Sequence, residues 1–255
     1  MRFYDRTFFY CLIAGTLFLR LNTGDVHAAQ NVTLDYALWE QVLKKFVNDQ
    51  GRVDYEGLKK DPDQFHQFID QIEKMDIQQL SHVEQKAFWI NAYNAITMKV
   101  ILDHYPVTSI RLLNFGLVWH ADRKVAAGKK SLGDIEHKIL RPMGDPRIHF
   151  AINCASIGCP RLPNRPFYPE TLEEQLDQEA KRFMNDPQKV FLDRKRNIIH
   201  HSAIFDWFQE DFLAVSPDLV SYIKKYIHEE DKRYLDEHPD VQLQVLKYNW
   251  KLNRQ

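Results

Sequence analysis

The sequence predicts an α+β fold, a single domain of several helices packed on a small mixed or antiparallel sheet. Three observations carry this reading. Apolar residues recur at helical spacing in separate stretches, short strand-like pieces lie among them, and the two kinds mix without the regular beat of a βαβ protein. In chain order, 34–46 spaces Leu34, Ala37, Leu38, Val42 and Phe46 as a helix. Residues 51–55 turn into a short extended piece, and 65–75 is again helical through Phe65, Phe68, Ile69 and Ile72. Ser81 with Glu84 three residues on makes a capping box. The helix it opens runs to about His104, ahead of Pro106. It carries Phe88, Trp89, Ile90, Ala92, Ala95, Ile96, Val100 and Ile101, so it is buried nearly all round. The stretch 109–119 is apolar but poorly phased, and 118–127 is a hairpin or a loop. Ser131 and Asp134 cap a further helix over 135–140. Residues 147–153 read as a strand and the proline-rich 160–169 as a loop. A helix follows over 170–184, with Leu172, Leu176, Ala180 and Phe183 as its inner stripe. Residues 189–192 and 196–200 form a hairpin, 202–212 and 217–227 are helices, and 241–252 is a terminal strand.

The amino end reads as a signal peptide over 1–28. Arg2 and Arg6 precede an apolar run from Phe8 to Leu19, and Val26-His-Ala28 places small residues before the cut. The run is shorter than the roughly 18 residues a spanning helix needs, so no stable membrane insertion is expected. The domain then occupies 29–255, and the protein is expected to be periplasmic or secreted. A net charge of −1 gives no basic face for nucleic acid. No phosphate-binding glycine loop is present, and neither a cofactor nor a metal is expected. His200 and His201 would point opposite ways on a strand, and His120 with Asp122 lacks a third ligand.

Chemistry concentrates in Arg147-Ile-His-Phe-Ala-Ile-Asn-Cys-Ala-Ser-Ile-Gly-Cys-Pro160. On a strand, Ile148, Phe150, Ile152 and Cys154 would share the core face, and Arg147, His149 and Asn153 the other. Cys154 is then a small buried hydrophobe, and Cys159, in a loop of small residues, is the open sulfur. Three readings of Cys159 stand: a disulfide to Cys154, as an exported chain invites; a reactive thiol favoured by nearby backbone N–H groups; or an inert thiol. As a nucleophile it needs a base, for which His149 and His120 are candidates, and an orienter, for which Asn91 is the candidate. Arg147, Asn153, His137 and Asn94 are candidate binding residues. Each has a plainer role beside it. His149 can be a satisfied buried histidine, and Asn91 and Asn94, close to one helix face, can simply hold a neighbouring loop. Asp206 and Asp211, flanking Trp207 and Phe208, read as part of a packed amphipathic segment.

Several motifs in one order resemble the domain-of-unknown-function 547 family. They are Phe88-Trp-Ile-Asn-Ala-Tyr-Asn94, Ser131-Leu-Gly-Asp-Ile-Glu-His137, Leu140-Arg141, Asp145-Pro-Arg-Ile-His-Phe-Ala151, the Cys154 to Pro160 segment and Tyr248-Asn-Trp-Lys-Leu-Asn253. The resemblance covers roughly 84–211 plus the tail. It implies an exported bacterial protein and no established activity. Gly158 stands where the family pattern often carries serine. Two functional expectations follow, with a third behind them. The first is an exported domain that binds an unknown small molecule or peptide, its cysteines bridged. The alternative is a cysteine-dependent hydrolase or acyl transferase with Cys159 as nucleophile and its histidines earlier in the chain. The third is a redox role for Cys154 and Cys159, whose four-residue spacer is longer than the usual two.

Overall fold

The apolar helix that begins at Ser81 is the axis on which the molecule is built. The computed structural model describes residues 34–255, and the signal peptide expected over 1–28 lies outside them. Helix α1 (Tyr36–Phe46) is capped by the Asp35 carboxylate, and α2 (Tyr55–Lys60) by Asp54. With α3 (Asp63–Lys74) they surround α4 (His82–His104), whose capping box of Ser81 and Glu84 is present. Residues 86–98 of α4 are buried without a break, so its polar members Asn91, Asn94 and Thr97 are inside the protein. Trp39 of α1 lies flat on Phe68 of α3, ring centroids 4.8 Å apart, an offset contact worth about 0.5–1.5 kcal/mol beyond its area.

A two-stranded hairpin follows, β1 (Arg123–Val125) with β2 (Gly128–Lys130). The Ser131 box then starts α5 (Leu132–Asp134), which runs directly into a π-helical turn over Ile135–Leu140. Helix α6 (Leu172–Met184) leads to β3 (Val190–Asp193), antiparallel to β4 (Ile198–His201) with Val190 opposite His201. Short helices α7 (Ile204–Trp207), α8 (Gln209–Leu213), α9 (Leu219–Lys224) and α10 (Glu229–Glu237) carry the chain to β5 (Gln242–Val245). β5 runs parallel to β4, which makes the three-stranded sheet mixed. Helices on a small mixed sheet are the α+β architecture the sequence predicts.

Two hydrophobic cores result. The first is gathered round α4, and the second joins the end of α6 to β3, β4 and α7 through α10. The segment read as a strand over 147–153 joins them, and it is not a strand. Pro146–Phe150 is a 3₁₀ helix, after which the chain is irregular. Pro146 presets a helical φ at the first position, and the Asp145 carboxylate caps the turn by accepting from the Arg147 N–H at 3.1 Å. This local bonding overrides the strand preference of the apolar residues, so the alternation of faces does not hold. Ile148 goes to the first core and Phe150 to the second.

Two other elements differ from expectation. The helix over 202–212 breaks at Phe208, whose φ of −121° and ψ of 28° separate α7 from α8. Of 241–252 only Gln242–Val245 is strand. Beyond it the chain becomes an extended tail that stitches the molecule together. Ile157 N–H donates to Lys251 O at 2.8 Å, Gly158 N–H to Asn249 O at 2.7 Å, Asn253 N–H to Ala155 O at 3.1 Å, and Val53 N–H to Asn253 O at 2.9 Å.

Candidate functional site

A pocket of about 230 Å³ opens at the seam of the two cores. Its walls are aromatic: Tyr93, Trp119, Trp207, Phe208, Tyr248 and Trp250. Three of the chain's five tryptophans are therefore here. Trp207 and Trp250 lie 5.7 Å apart and nearly parallel, and Trp119 meets Trp250 edge-on at 6.2 Å. Trp207 is 48 % exposed at the pocket rim.

Polar groups enter the pocket from two sides. The π-helical turn carries Glu136 and His137 to its wall. Such wide turns recur at functional sites because they push side chains out of helical phase. Tyr93 Oη donates to Glu136 Oε2 at 3.2 Å. Burial pushes the Glu136 carboxyl up to about 7, against the hydrogen bond from Tyr93, which favours the anion.

From the other side comes His149, only 2 % exposed. Its Nε2 is 2.7 Å from Asp211 Oδ2. Asp211 also accepts from Arg141, Nε at 2.7 Å and Nη2 at 2.9 Å. Burial works against the Asp211 anion, but the bonds from His149 and Arg141 prevail and hold the carboxyl well below its usual range. An ionised Asp211 requires the His149 proton on Nε2, which leaves Nδ1 as an acceptor. Burial lowers the His149 pKa, opposed by Asp211, so the ring is neutral near pH 7. Phe208, placed by the break between α7 and α8, stacks on the imidazole at 4.0 Å and lies under the Arg141 guanidinium. The His137 pKa is lowered by burial and by Arg141, whose Nη1 is 3.5 Å from Nδ1.

The floor is the cysteine loop. Cys154 and Cys159 are joined as a disulfide with Cα atoms 6.2 Å apart, and both face the pocket. Their exposure is the reverse of the strand-based expectation. Cys159 is 5 % exposed, and Cys154 is the half-buried, more open sulfur. The reason is the irregular backbone: without alternation Cys154 is not held on a core face, and the tail covers the far end of the loop. Donors converge on Cys159 Sγ, the Cys154 N–H at 3.0 Å and Tyr248 Oη at 3.2 Å. Ser156 Oγ, 3.4 Å from the same sulfur, also donates to Tyr248 at 3.1 Å. Ala155 sits at φ +59°, a left-handed conformation that costs a residue with a Cβ about 1–2 kcal/mol. A larger, more polar cleft of about 530 Å³ lies across the loop, sharing Cys159 and Pro160 with the pocket and lined by Arg52, Arg161 and Lys189.

The residues singled out by sequence are thus divided. Cys159, His149 and His137 line the pocket. His120 is exposed and outside it. Asn91 accepts from Trp39 Nε1 and from the Phe167 N–H and donates to Phe167 O at 2.8 Å, so it holds a loop to α4. Asn94 does the same for the cysteine segment, donating to Ala151 O at 2.9 Å and accepting the Asn153 N–H at 2.8 Å. Asn153 in turn donates to Pro160 O at 2.6 Å and accepts the Ala155 N–H at 2.7 Å, shaping the loop from within. Arg147 is fully engaged by Asp145, Glu173 and Asp177, away from the pocket. Sequence reasoning passed over Glu136, Arg141 and Asp211 as site residues. The signal for Glu136 was a second ionisable residue beside His137. Nothing local marked Asp211, which is 62 positions from His149. Among the described residues no group of three or more His, Cys, Asp or Glu side chains gathers to hold a metal ion, and no helix is long and apolar enough to cross a membrane.

Residues 77–184 match the family described as "Protein of unknown function, DUF547". The match takes in α4, the π-helical turn, His149 and both cysteines. No curated protein and no solved structure matches the chain.

Proposed function

We propose that the aromatic pocket is a binding site for a compact small molecule or the tip of a peptide, in a domain that works after export. The observation that carries this is the juxtaposition of three tryptophans with Glu136, His137 and His149 around one cavity. Indole faces stack on an apolar or ring-shaped group, and the carboxyl and imidazoles meet a hydrogen-bonding edge, the usual division of labour in ligand sites. At about 230 Å³ the cavity is below the roughly 300 Å³ at which drug-sized sites begin, which favours a compact ligand.

The test is a titration of intrinsic tryptophan fluorescence with a panel of simple sugars, amino-acid amides and aromatic fragments. One class should give a saturable shift that Trp207→Ala weakens at least tenfold. A panel without any saturable shift, or full binding by Trp207→Ala, overturns the reading.

One observation favours a second reading, a cysteine-dependent hydrolase or acyl transferase. His149, held by Asp211 through Nε2 at 2.7 Å, lines the same pocket as Cys159, the set of groups a thiol nucleophile uses. This reading requires the bridge to be open. Reduced protein should then release nitrophenol from an activated ester faster than Cys159→Ala. Equal rates exclude it.

A further inference from the structure

We propose that the Cys154–Cys159 bridge is an exchanging disulfide that reacts with low-molecular-weight thiols, Cys154 being the sulfur attacked and Cys159 the sulfur released. The two sulfurs have unlike surroundings. Cys154 is half-buried and opens on the aromatic pocket, whereas Cys159 is 5 % exposed beneath the tail. A thiolate entering through the aromatic pocket therefore meets Cys154 as the more exposed of the two cysteines. The pocket of about 230 Å³ admits a small thiol rather than a cysteine on a folded protein surface.

The donor pattern decides which sulfur leaves. The Cys154 N–H at 3.0 Å and Tyr248 Oη at 3.2 Å both aim at Cys159 Sγ, and Ser156 supports Tyr248 from 3.1 Å. Cys154 Sγ receives weaker attention: Ser156 Oγ is 3.4 Å and Tyr248 Oη 3.6 Å away, with no backbone N–H beside them. A sulfur in a disulfide is a poor acceptor, so these donors gain little while the bridge is closed. They gain much more on a thiolate, since a hydrogen bond to an ionised partner is about twice as strong as a neutral one. Burial keeps Tyr248 protonated, hence a donor.

The exchange balances as follows. A thiolate RS⁻ attacks Cys154 Sγ, an S–S bond forms between R and Cys154, and the bond to Cys159 breaks with its electron pair on Cys159. A second RS⁻ attacks the R sulfur, giving RSSR and the Cys154 thiolate. Two thiolates are oxidised and one protein disulfide is reduced. A lower leaving-group pKa speeds the first step. The inference stands on the sulfurs' own neighbours and does not depend on what the pocket binds.

The test uses the folded, oxidised protein. Incubation with glutathione at neutral pH, quenching with N-ethylmaleimide and peptide mapping should find glutathione on Cys154 and maleimide on Cys159. A bridge that opens only in denaturant, or glutathione on Cys159, overturns the proposal. The mapping needs no variant. In Cys154→Ser, confirmed folded by circular dichroism, the pH profile of Cys159 alkylation should place its pKa at least one unit below the roughly 8.5 of a free cysteine. Adding Tyr248→Phe should move it back up and slow alkylation at pH 7 about three- to tenfold. An ordinary Cys159 pKa in Cys154→Ser overturns the assignment of the leaving sulfur.

Discussion

Glu136 governs the charge of the pocket. Its carboxyl is pushed up to about 7 by burial, while in the unfolded chain it titrates near 4.3. Between those values the folded protein holds a proton that the unfolded chain has lost. Stability from this group is therefore full below about pH 4 and declines as pH rises to 7. Glu136→Gln keeps the shape and removes the ionisation. Its stability relative to the natural protein should rise by about 1–3 kcal/mol between pH 4.5 and 7.5 and level off above. Urea unfolding at several pH values measures this, and a pH-independent difference would show that the carboxyl is freely solvated. Near pH 7 Glu136 passes from donor to acceptor, so ligand affinity should change over the same range.

The tail packs most tightly on the cysteine loop at Gly158. A Cβ added at Gly158 would lie 2.7 Å from Cε1 and Cζ of Tyr248. A serine at this position cannot be accommodated unless Tyr248 moves. Gly158→Ser should cost about 1–3 kcal/mol, the usual penalty of overpacking, and should disturb the donor on Cys159. A denaturation midpoint unchanged from the natural protein would mean the ring yields freely. At this scale the sequence was informative where bonding is local. The capping boxes at Ser81 and Ser131, the span of α4 and the β3–β4 hairpin could all be read because cap, periodicity and turn lie within a few residues. The 147–153 segment was misread for the same kind of reason. Asp145 and Pro146, just before the apolar run, outweigh its strand preference. The break at Phe208 had no proline or glycine to announce it.

At the scale of the molecule, the site is assembled from positions 93 to 250. Its cysteine loop, His149 and His137 were legible because they carry unusual chemistry in one short stretch. Asp211, Trp119 and the aromatic walls were not, since their meeting depends on how the two cores join. The bridge itself contributes modestly to global stability. Cys154 and Cys159 are five apart, and closing so short a loop is worth about 2 kcal/mol by chain entropy. Replacing both cysteines by serine should lower stability by about that amount and leave far-ultraviolet circular dichroism unchanged. Loss of the folded signal would instead make the bridge a condition of folding.

The threading of the last residues over the cysteine loop also sets an order of events. A polypeptide is made from its amino end, so Tyr248 and Trp250 emerge after every group they cover. Until they arrive, the sulfurs lack the cover that Tyr248 gives them. Once they dock, access narrows to the indole-lined pocket on one side and the polar cleft on the other. Sulfur pairing during biogenesis and sulfur chemistry in the finished protein are thereby separated by the 89 positions between Cys159 and Tyr248.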